Sequence, residues 1–538
     1  MGRGERERAL SGLLDAIVDT GLDDWLAAPP ATSDAAYDDR LRVLATMLAL
    51  RWQEAWELGR SLGEPQDADA RWLHHAALAW AVSGDPAPES DRVLAPFTGD
   101  DLPDVAAPLG RFAAYVAVEA AIAHARLDLA AELAGRAGAG LWAPFGHPFD
   151  AMVVACRVRL LAFRGEISEA RSVLDDATRS APGSPAAMVL AATECLVRGN
   201  DTQPAEVRRL AGLVQDQVPE PRDLLGAGSQ MLAAFGLIAV GDVVEAVRRL
   251  LVAGRDADLS ALNVIDRALG LELLVALAVT EENLDDAEVW RDRALPLLAS
   301  PIADSTVGRL LSRVELLAGR PAEAVAWAER ALDRARVTGR GIEAAESEIV
   351  LSRARLVLRG PGDRGRAIEA LESMVAAAET RGHRAARTSA ARELRPLGQR
   401  LRPLSGSGWA GLTARESEVA RAVADGATNG EIARRLNVSE HTVRAHVSRV
   451  LAAFGVAGRS ALPSVLGATA AESDRPSLTT RQRQVAELVG LGLGNREIAE
   501  RLDISDRTVE RHVSDILVRW DLTSRTAVAS AVTTSGAG

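Results

Sequence analysis

Lysine is absent from this 538-residue chain, and all 62 of its basic residues are arginine. A phosphate-binding Gly-x-x-x-x-Gly-Lys loop needs its lysine amine for the nucleotide phosphates, so the sequence excludes ATPases that depend on this loop. Cysteine is scarce as well. Cys156 and Cys195 are the two in the chain, which is too few for a disulfide framework and favours a reducing cytoplasm.

The chain also lacks long apolar runs. No uninterrupted apolar stretch is long enough to cross a bilayer, and residues 1–21 are charged and amphipathic, without the apolar core of a signal peptide. We therefore expect a cytoplasmic protein that does not bind membranes. With 25% charged and 48% hydrophobic residues the chain is globular, and its length predicts several domains.

Patterns typical of catalysis and of metal or cofactor sites are missing too. The sequence contains no Gly-x-Ser-x-Gly element, no Cys–His pairing and no cluster with metal-ligand spacing. Residues 74–75 are a His-His pair without a carboxylate or cysteine at ligand spacing, which favours a surface helix over a metal site. We therefore predict that the protein is not an enzyme and holds no cofactor.

Residues 1–400 are dominated by Ala and Leu and show helical periodicity with almost no strand pattern. A joint recurs in which one residue is followed after five positions by Ala and after seven more by a second Ala. The joints are Gly165-Ala170-Ala177, Gly241-Ala246-Ala253, Glu282-Ala287-Ala294 and Gly319-Ala324-Ala331. Glycine at this place ends a helix and permits a tight turn. The two alanines lie on one face of the next helix, where small side chains let helices approach closely.

This spacing resembles the tetratricopeptide repeat, which implies stacked helix pairs over roughly residues 103–378. The match is degenerate: the steps between joints vary, Gly362 leads Ala367 and then Met374, and the first hundred residues are helical but match poorly. Solenoids of this kind bind peptides or proteins, so we expect such a partner. Trp290 and Trp327 occupy equivalent positions in adjacent units; they could line a groove, but packing between helices is favoured.

Near the C-terminus the chain repeats itself. Residues 412–461 align with 478–527 at a constant offset of 66, without a gap, and 22 of the 50 positions are identical. Thr413 with Glu416 predicts a capping box at the start of the first helix, and Thr479 with Gln482 repeats it. Each copy then predicts a short second helix, a tight turn and a third helix, which together make a helix-turn-helix.

In the first copy, Gly426 closes the first helix, Asn429 is expected to cap the second, Asn437 and Val438 form the turn, and Ser439 caps the third. On the third helix Val443, Val447 and Leu451 are spaced by four and are expected to face the core. The opposite face carries Arg, His and small residues, which suits close entry into a major groove. A solvated amphipathic helix is the alternative, and the repetition of the whole pattern disfavours it.

Both copies resemble the LuxR-type (GerE-like) DNA-binding domain of bacterial transcription regulators. The matching elements in the first copy are Leu412-Thr413, Arg415, Asn429, Glu431-Ile432-Ala433, Ser439, Thr442-Val443, His446-Val447 and Arg459, and the second copy repeats them 66 residues later. The resemblance implies a four-helix domain whose third helix reads the major groove and whose fourth helix, beginning near Ser460 and Ser524, pairs with a partner domain.

The residues predicted to contact DNA are these. The first copy contributes Asn429, Ser439, His441, Thr442, Arg444, Ala445, His446, Ser448 and Arg449, and the second contributes Asn495, Ser505, Arg507, Thr508, Glu510, Arg511, His512 and Ser514. The family usually has Lys after Thr-Val, where this chain has Arg444 and Glu510. A carboxylate is repelled by the DNA backbone, but Glu510 can accept from a cytosine amine.

These observations predict an all-α fold with a helical-repeat solenoid at 1–400 and helix-turn-helix domains at 408–467 and 474–534, joined by linkers at 401–411 and before Pro476. The predicted function is sequence-specific regulation of transcription through double-stranded DNA, with the two domains paired within the chain or in a homodimer. The alternative is an interaction scaffold whose second helix-turn-helix domain is a docking module. Residues 401–538 carry a net charge of +2 and the remainder −14, so DNA affinity is expected to rest on both domains together.

Overall fold

The computed structural model describes residues 2–19, 21–29, 32, 34–84, 90–178, 187–399, 412, 414–424, 427–454, 478, 480–490, 495–502 and 504–520. Every regular element within these ranges is helical, and none of them forms a β-strand. The fold is therefore all-α, as the sequence predicts. Contacts within the chain divide the fold into two units, residues 1–400 and 401–538.

The first unit is a solenoid of helices joined by short turns. Its α-helices are α1 Gly2–Val18, α2 Leu22–Ala27, α3 Ala35–Leu48, α4 Trp52–Ser61, α5 Ala68–Val82, α6 Ser90–Leu94, α7 Pro108–Ala123, α8 Leu127–Ala137, α9 Asp150–Phe163, α10 Ile167–Thr178, α11 Ala187–Asn200, α12 Pro204–Gln217, α13 Leu224–Ala239, α14 Val243–Gly254, α15 Val264–Thr280, α16 Leu284–Ala294, α17 Asp304–Leu317, α18 Pro321–Val337, α19 Gly341–Leu358, α20 Asp363–Arg381 and α21 Arg384–Leu394. Short 3-10 turns lie at Ala95–Thr98, Gly138–Trp142, Leu295–Ala299 and Arg395–Leu397.

The predicted joints are confirmed by backbone geometry. Gly165, Gly241, Glu282 and Gly319 all have positive φ, between 54° and 88°, which is the left-handed conformation that ends a helix and starts a turn. Seven of the eight alanines that follow them are fully buried; Ala177 is half-buried. Small side chains therefore stand where neighbouring helices meet, as the spacing indicates.

Three further joints have the same geometry without glycine. Leu50, Ala125 and Thr202 adopt φ of 63°, 56° and 59°, and each is followed after five positions by a buried Ala or Val, namely Ala55, Ala130 and Val207. The joint at Leu50 lies in the first hundred residues, where the sequence pattern matches poorly. The repeat thus begins earlier in the structure than the sequence predicts.

Alternate helices of the solenoid form an inner layer. Consecutive inner helices pack on each other, as α5 does on α7, α11 on α13 and α15 on α17. Almost every side chain of α7 is buried, which is typical of a helix that is covered on all sides. The free cysteines Cys156 and Cys195 lie in this layer and are fully buried.

The solenoid also contacts itself ten helices further along the chain. Helices α9, α10 and α11 touch α19, α20 and α21. The His383 Nε2 lies 2.9 Å from the Asn200 Oδ1, and the Asp128 amide donates to the Thr338 carbonyl at 3.2 Å. Burial lowers the pKa of His383 to about 4, so a neutral imidazole occupies this contact at neutral pH. Successive turns of the superhelix are therefore stacked after five helix pairs.

Buried charges link the inner helices of the later repeats. Arg309 on α17 is 1% exposed and pairs with Glu272 of α15 and with Glu343 of α19, the latter at 2.9 Å. Arg340 adds a second cation 3.2 Å from Glu343. Burial acts to raise the pKa of Glu343, but the charges of Arg340 and Arg309 outweigh it and lower this pKa to about 2. The carboxylate is therefore ionised wherever the protein is folded near neutral pH.

Trp290 and Trp327 are half-buried against the solenoid core. An arginine three residues on covers each ring: the Arg293 guanidinium carbon lies 4.7 Å from the Trp290 ring centre, and that of Arg330 lies 5.6 Å from Trp327. This geometry supports the packing interpretation.

The prediction that residues 74–75 lie on a surface helix is wrong for His74, which is buried on α5. Desolvation there lowers the pKa of His74 to about 4.

In the second unit, three described helices form each copy of the repeat. The first domain consists of α22 Ala414–Ala424, α23 Asn429–Leu436 and α24 Glu440–Phe454, and the second domain of α25 Thr480–Gly490, α26 Asn495–Leu502 and α27 Asp506–Trp520. Each has a separate apolar core, centred on Val419, Ile432 and Val443 in the first domain and on Val485, Ile498 and Val509 in the second. The predicted elements at Thr413, Gly426, Thr479 and the fourth helices near Ser460 and Ser524 lie outside the described residues.

Candidate nucleic-acid interface

The second helix of the first domain begins at Asn429, but its cap is Thr428. The Thr428 hydroxyl accepts from the Glu431 amide at 3.3 Å, and the Glu431 carboxylate accepts from the Thr428 amide at 2.7 Å. This reciprocal pair is a capping box, and the hydrogen bond from the Thr428 amide lowers the pKa of Glu431. The prediction of Asn429 as the cap is therefore wrong by one residue, because the Thr-x-x-Glu spacing satisfies two amides where Asn429 would satisfy one.

The serine that precedes the third helix makes the same contacts in both domains. Asn437 takes the left-handed conformation with φ 51° and ends α23. Ser439 then accepts from the Thr442 amide at 3.1 Å, and Ser505 accepts from the Thr508 amide at 3.2 Å. Each serine hydroxyl also lies 2.8 Å from the hydroxyl of that threonine. These contacts fix where the exposed face of the third helix begins.

Helices α24 and α27 each have one buried and one exposed side. Val443, Val447 and Val450 are buried in α24, and Val509, Val513 and Ile516 are buried in α27. Glu440, Ala452, Asp506 and Asp515 are exposed on these helices. The predicted residues that point to solvent are His441, Arg444 and Ser448 in α24, and Arg507, Glu510, Arg511 and Ser514 in α27. We call these two sets the first and second exposed faces. Leu451, predicted to lie in the core, is half-buried and packs against it.

The remaining predicted residues are less exposed. Thr442, Ala445, His446 and Arg449 are half-buried in the first domain, as are Thr508 and His512 in the second. Asn429 and Asn495 are half-buried first residues of α23 and α26. Ser439 and Ser505 are exposed at the ends of the two turns. The exposed faces thus lie on the third helices, α24 and α27, whereas the two asparagines lie on the second helices, α23 and α26.

Arg449 is held inside the first domain by an ion pair that the sequence interpretation missed. Its Nη1 lies 2.8 Å from the Oε1 of Glu416 on α22, a carboxylate that is 4% exposed. The His446 Nδ1 lies 3.8 Å from the same oxygen, and burial together with the charge of Arg449 lowers the pKa of His446. The sequence signals this ion pair only through a coupled difference between the copies: Glu416 and Arg449 of the first copy are replaced by Gln482 and Asp515 in the second.

A second arginine contact is the same in both domains. Arg415 donates to the carbonyl of Leu436, and Arg481 donates to the carbonyl of Leu502 66 residues later. Each carbonyl ends the second helix of its domain, where the last carbonyls have no partner within the helix. The first and second helices are therefore joined by the same hydrogen bond in both copies.

Comparison with protein families matches this pair of domains. Residues 410–466 and 476–532 both fit the family described as bacterial regulatory proteins, luxR family. The two segments are LuxR-type domains. A Mycobacterium bovis protein named as an HTH-type transcriptional regulator is 45% identical over 65 residues, which are 12% of this chain and 7% of that protein. The nitrate/nitrite response regulator protein NarL of Escherichia coli K12 is 43% identical over 58 residues, 11% of this chain and 27% of its own.

The likeness to these relatives is confined to the LuxR-type domains, since the chain spans less than a third of either protein. Among solved structures, the crystal structure of the APC/C hetero-tetramer Cut9-Hcn1 covers 84% of this chain and 94% of its own at 11% identity, with a TM-score of 0.25. The repeat of the solenoid is established by its own joints. No helix in the described ranges is long and apolar enough to span a membrane.

Proposed function

We propose that this protein is a sequence-specific transcription regulator that binds double-stranded DNA through the third helix of each LuxR-type domain. One observation carries the proposal: α24 and α27 each bury one apolar stripe and turn polar, hydrogen-bonding side chains to solvent on the other side. A helix with such a face fits the major groove, where base edges present donors and acceptors. The relatives named as regulators are consistent with this function.

In the first domain we assign base reading to Arg444. The side chain is exposed, and among the described residues it forms no ion pair, so its five N–H donors are available to DNA. The planar guanidinium matches the O6 and N7 acceptors of guanine. Arg449 is already paired with Glu416, so we propose that it supports the helix and contributes less to DNA binding than Arg444.

The two domains are proposed to act on one DNA segment. Residues 412–461 carry a net charge of +2, and residues 478–527 carry none, so each domain alone has little attraction to the phosphates. Connecting them in one chain raises the local concentration of the second once the first has bound. For the solenoid, whose partner its sequence does not identify, we propose the binding of a protein or peptide.

The experiment is a selection of bound duplexes from a random library by the full chain, followed by affinity measurements on the enriched site. Arg444→Ala is expected to weaken binding to that site while leaving weak binding to random DNA unchanged. The matched control is Arg42→Ala, which removes the same charge from an exposed position on α3 of the solenoid. Failure of the full chain to enrich any sequence would refute the proposal and favour the scaffold alternative. The exposed carboxylate of Glu510, which the DNA backbone repels, is consistent with that alternative.

A further inference from the structure

The two LuxR-type domains present opposite chemistry at the same place. Arg444 and Glu510 are separated by the repeat offset of 66, and each follows the buried valine in the first turn of its helix, Val443 or Val509. Both side chains are exposed. Within the part of the chain that the structure describes, neither forms an ion pair. One domain therefore offers a cationic donor where the other offers an anionic acceptor.

Neighbouring positions of the exposed faces differ as well. His441 of the first face corresponds to Arg507 of the second, and Ala445 corresponds to Arg511. The shared members are small or structural: Ser448 and Ser514 are both exposed, and the serine–threonine turns are the same. The serine–threonine contacts at the start of the third helix are thus the same in both domains, while the side chains that would contact base edges differ.

An arginine and a carboxylate side chain bind different base edges. Arginine donates to O6 and N7 of guanine, whereas a carboxylate accepts from the N4 amine of cytosine. The carboxylate of Glu510 would repel the phosphates, and Asp506 and Asp515 are also exposed on α27, but Arg507 and Arg511 flank Glu510 and place two cations beside it on the second face. The second domain therefore has the means to approach DNA and still place an acceptor against a base.

We propose that the chain recognises a bipartite DNA site with two unlike halves, one with a guanine read by Arg444 and one with a cytosine read by Glu510. This inference rests on the proposed function. Two identical copies of one reading helix would select two equivalent half-sites, as symmetric dimers do. Two unlike faces in a single chain select a site without internal symmetry, which gives the bound protein a fixed direction along the DNA.

The test compares sites selected by the full chain and by two charge-reversed variants, Glu510→Arg and Arg444→Glu. The wild-type chain is expected to enrich two different half-sites. Glu510→Arg should bind the wild-type site about tenfold or more weakly, and exchange of one C·G pair for G·C in the second half-site should restore binding. Arg444→Glu should require the opposite exchange, from G·C to C·G, in the first half-site.

Glu372→Arg is the control for net charge, because Glu372 is exposed on α20 of the solenoid and the change in charge equals that of Glu510→Arg. This control should select the wild-type site. Enrichment of two identical half-sites, of a single half-site, or of an unchanged second half-site by Glu510→Arg would each overturn the inference while the proposed function stands. Enrichment of no sequence by the wild-type chain would instead overturn the proposed function itself.

Discussion

Replacing Glu343 by Gln should destabilise the solenoid by about 3 kcal/mol at neutral pH. The arginine charges lower the pKa of Glu343 from 4.5 to about 2, and each unit of pKa corresponds to about 1.4 kcal/mol of interaction with the ionised form. An independent comparison gives a similar size, since removal of one partner from a buried ion pair costs roughly 3–5 kcal/mol. Arg309, which is 1% exposed, would keep only Glu272 as its carboxylate partner.

The same contribution should depend on pH with a definite sign. The folded-state pKa of Glu343 is depressed, so its stabilisation is complete above the unfolded value of 4.5 and is lost as the pH falls towards 2. The difference in stability between the wild type and Glu343→Gln should therefore be constant from pH 8 to pH 6. It should shrink by about 2 kcal/mol between pH 6 and pH 3.

Urea unfolding followed by tryptophan fluorescence is the assay, because eight of the ten tryptophans lie in residues 1–400. Glu346→Gln is the matched control: Glu346 lies one turn from Glu343 on α19, its side chain is 44% exposed, and it reaches Arg313 only at 3.7 Å. Its replacement should cost less than about 1 kcal/mol. Equal unfolding midpoints for the two variants, or a difference from wild type that does not change with pH, would refute the reasoning.

Three further predictions concern single positions. Arg444→Ala should cost about 1–3 kcal/mol on the selected site and relax the preference at one base pair; an equal decrease in affinity for random DNA would show that it touches only phosphate. Gly341→Ala should destabilise the solenoid in urea, because the added Cβ would collide with the Arg164 carbonyl, whereas Gly212→Ala meets no atom within 4 Å and should stabilise its helix by up to about 1 kcal/mol. Val509→Asp should unfold the second domain and remove most specific affinity of the full chain; an intact footprint would show that this domain does not bind DNA.

The sequence reveals the repeat joints only where glycine or a matching alanine pair marks them. The left-handed turn at Gly165 or Gly241 is encoded by a residue that adopts it without steric cost. Leu50, Ala125 and Thr202 adopt it against a cost of roughly 1–2 kcal/mol each. The packing of the following helix stabilises these turns. Leu50 and Thr202 are followed by Leu62 and Val214 where the pattern has its second Ala, so the spacing does not reveal them, whereas Ala125 is followed by Ala130 and Ala137 and fits the pattern that the sequence interpretation missed there.

Contacts between distant turns of the superhelix are invisible in the sequence for a different reason. Asn200 and His383 are 183 positions apart, and the sequence between them contains no pattern that specifies how many helix pairs complete a turn. That number depends on a small rotation at every joint, summed over five pairs. The burial of His74 escapes sequence reasoning in the same way, since it depends on neighbouring helices and not on the periodicity of α5.

For the LuxR-type domains the sequence predicts the exposed faces well. Valines spaced by four determine which side of α24 is buried, so the positions of His441, Arg444 and Ser448 follow from helical geometry alone. Arg449 escapes this argument because its partner, Glu416, comes from another helix. Spacing along one helix indicates the direction of a side chain, but it does not show that the side chain is already engaged.

The engagement of Arg449 changes the electrostatic argument for two domains. With Arg449 paired with Glu416, Arg444 is the arginine of the first exposed face that is left for the proposed contact with DNA. A protein that neutralises fewer phosphates binds DNA more weakly, and its affinity depends less on salt. Under the proposed function, a single domain of this kind would therefore depend on base contacts more than on charge, and base contacts are formed only on the correct sequence. In the proposed complex, two such domains in one chain would multiply that discrimination without adding attraction to random DNA, which agrees with the net charge of −14 on residues 1–400.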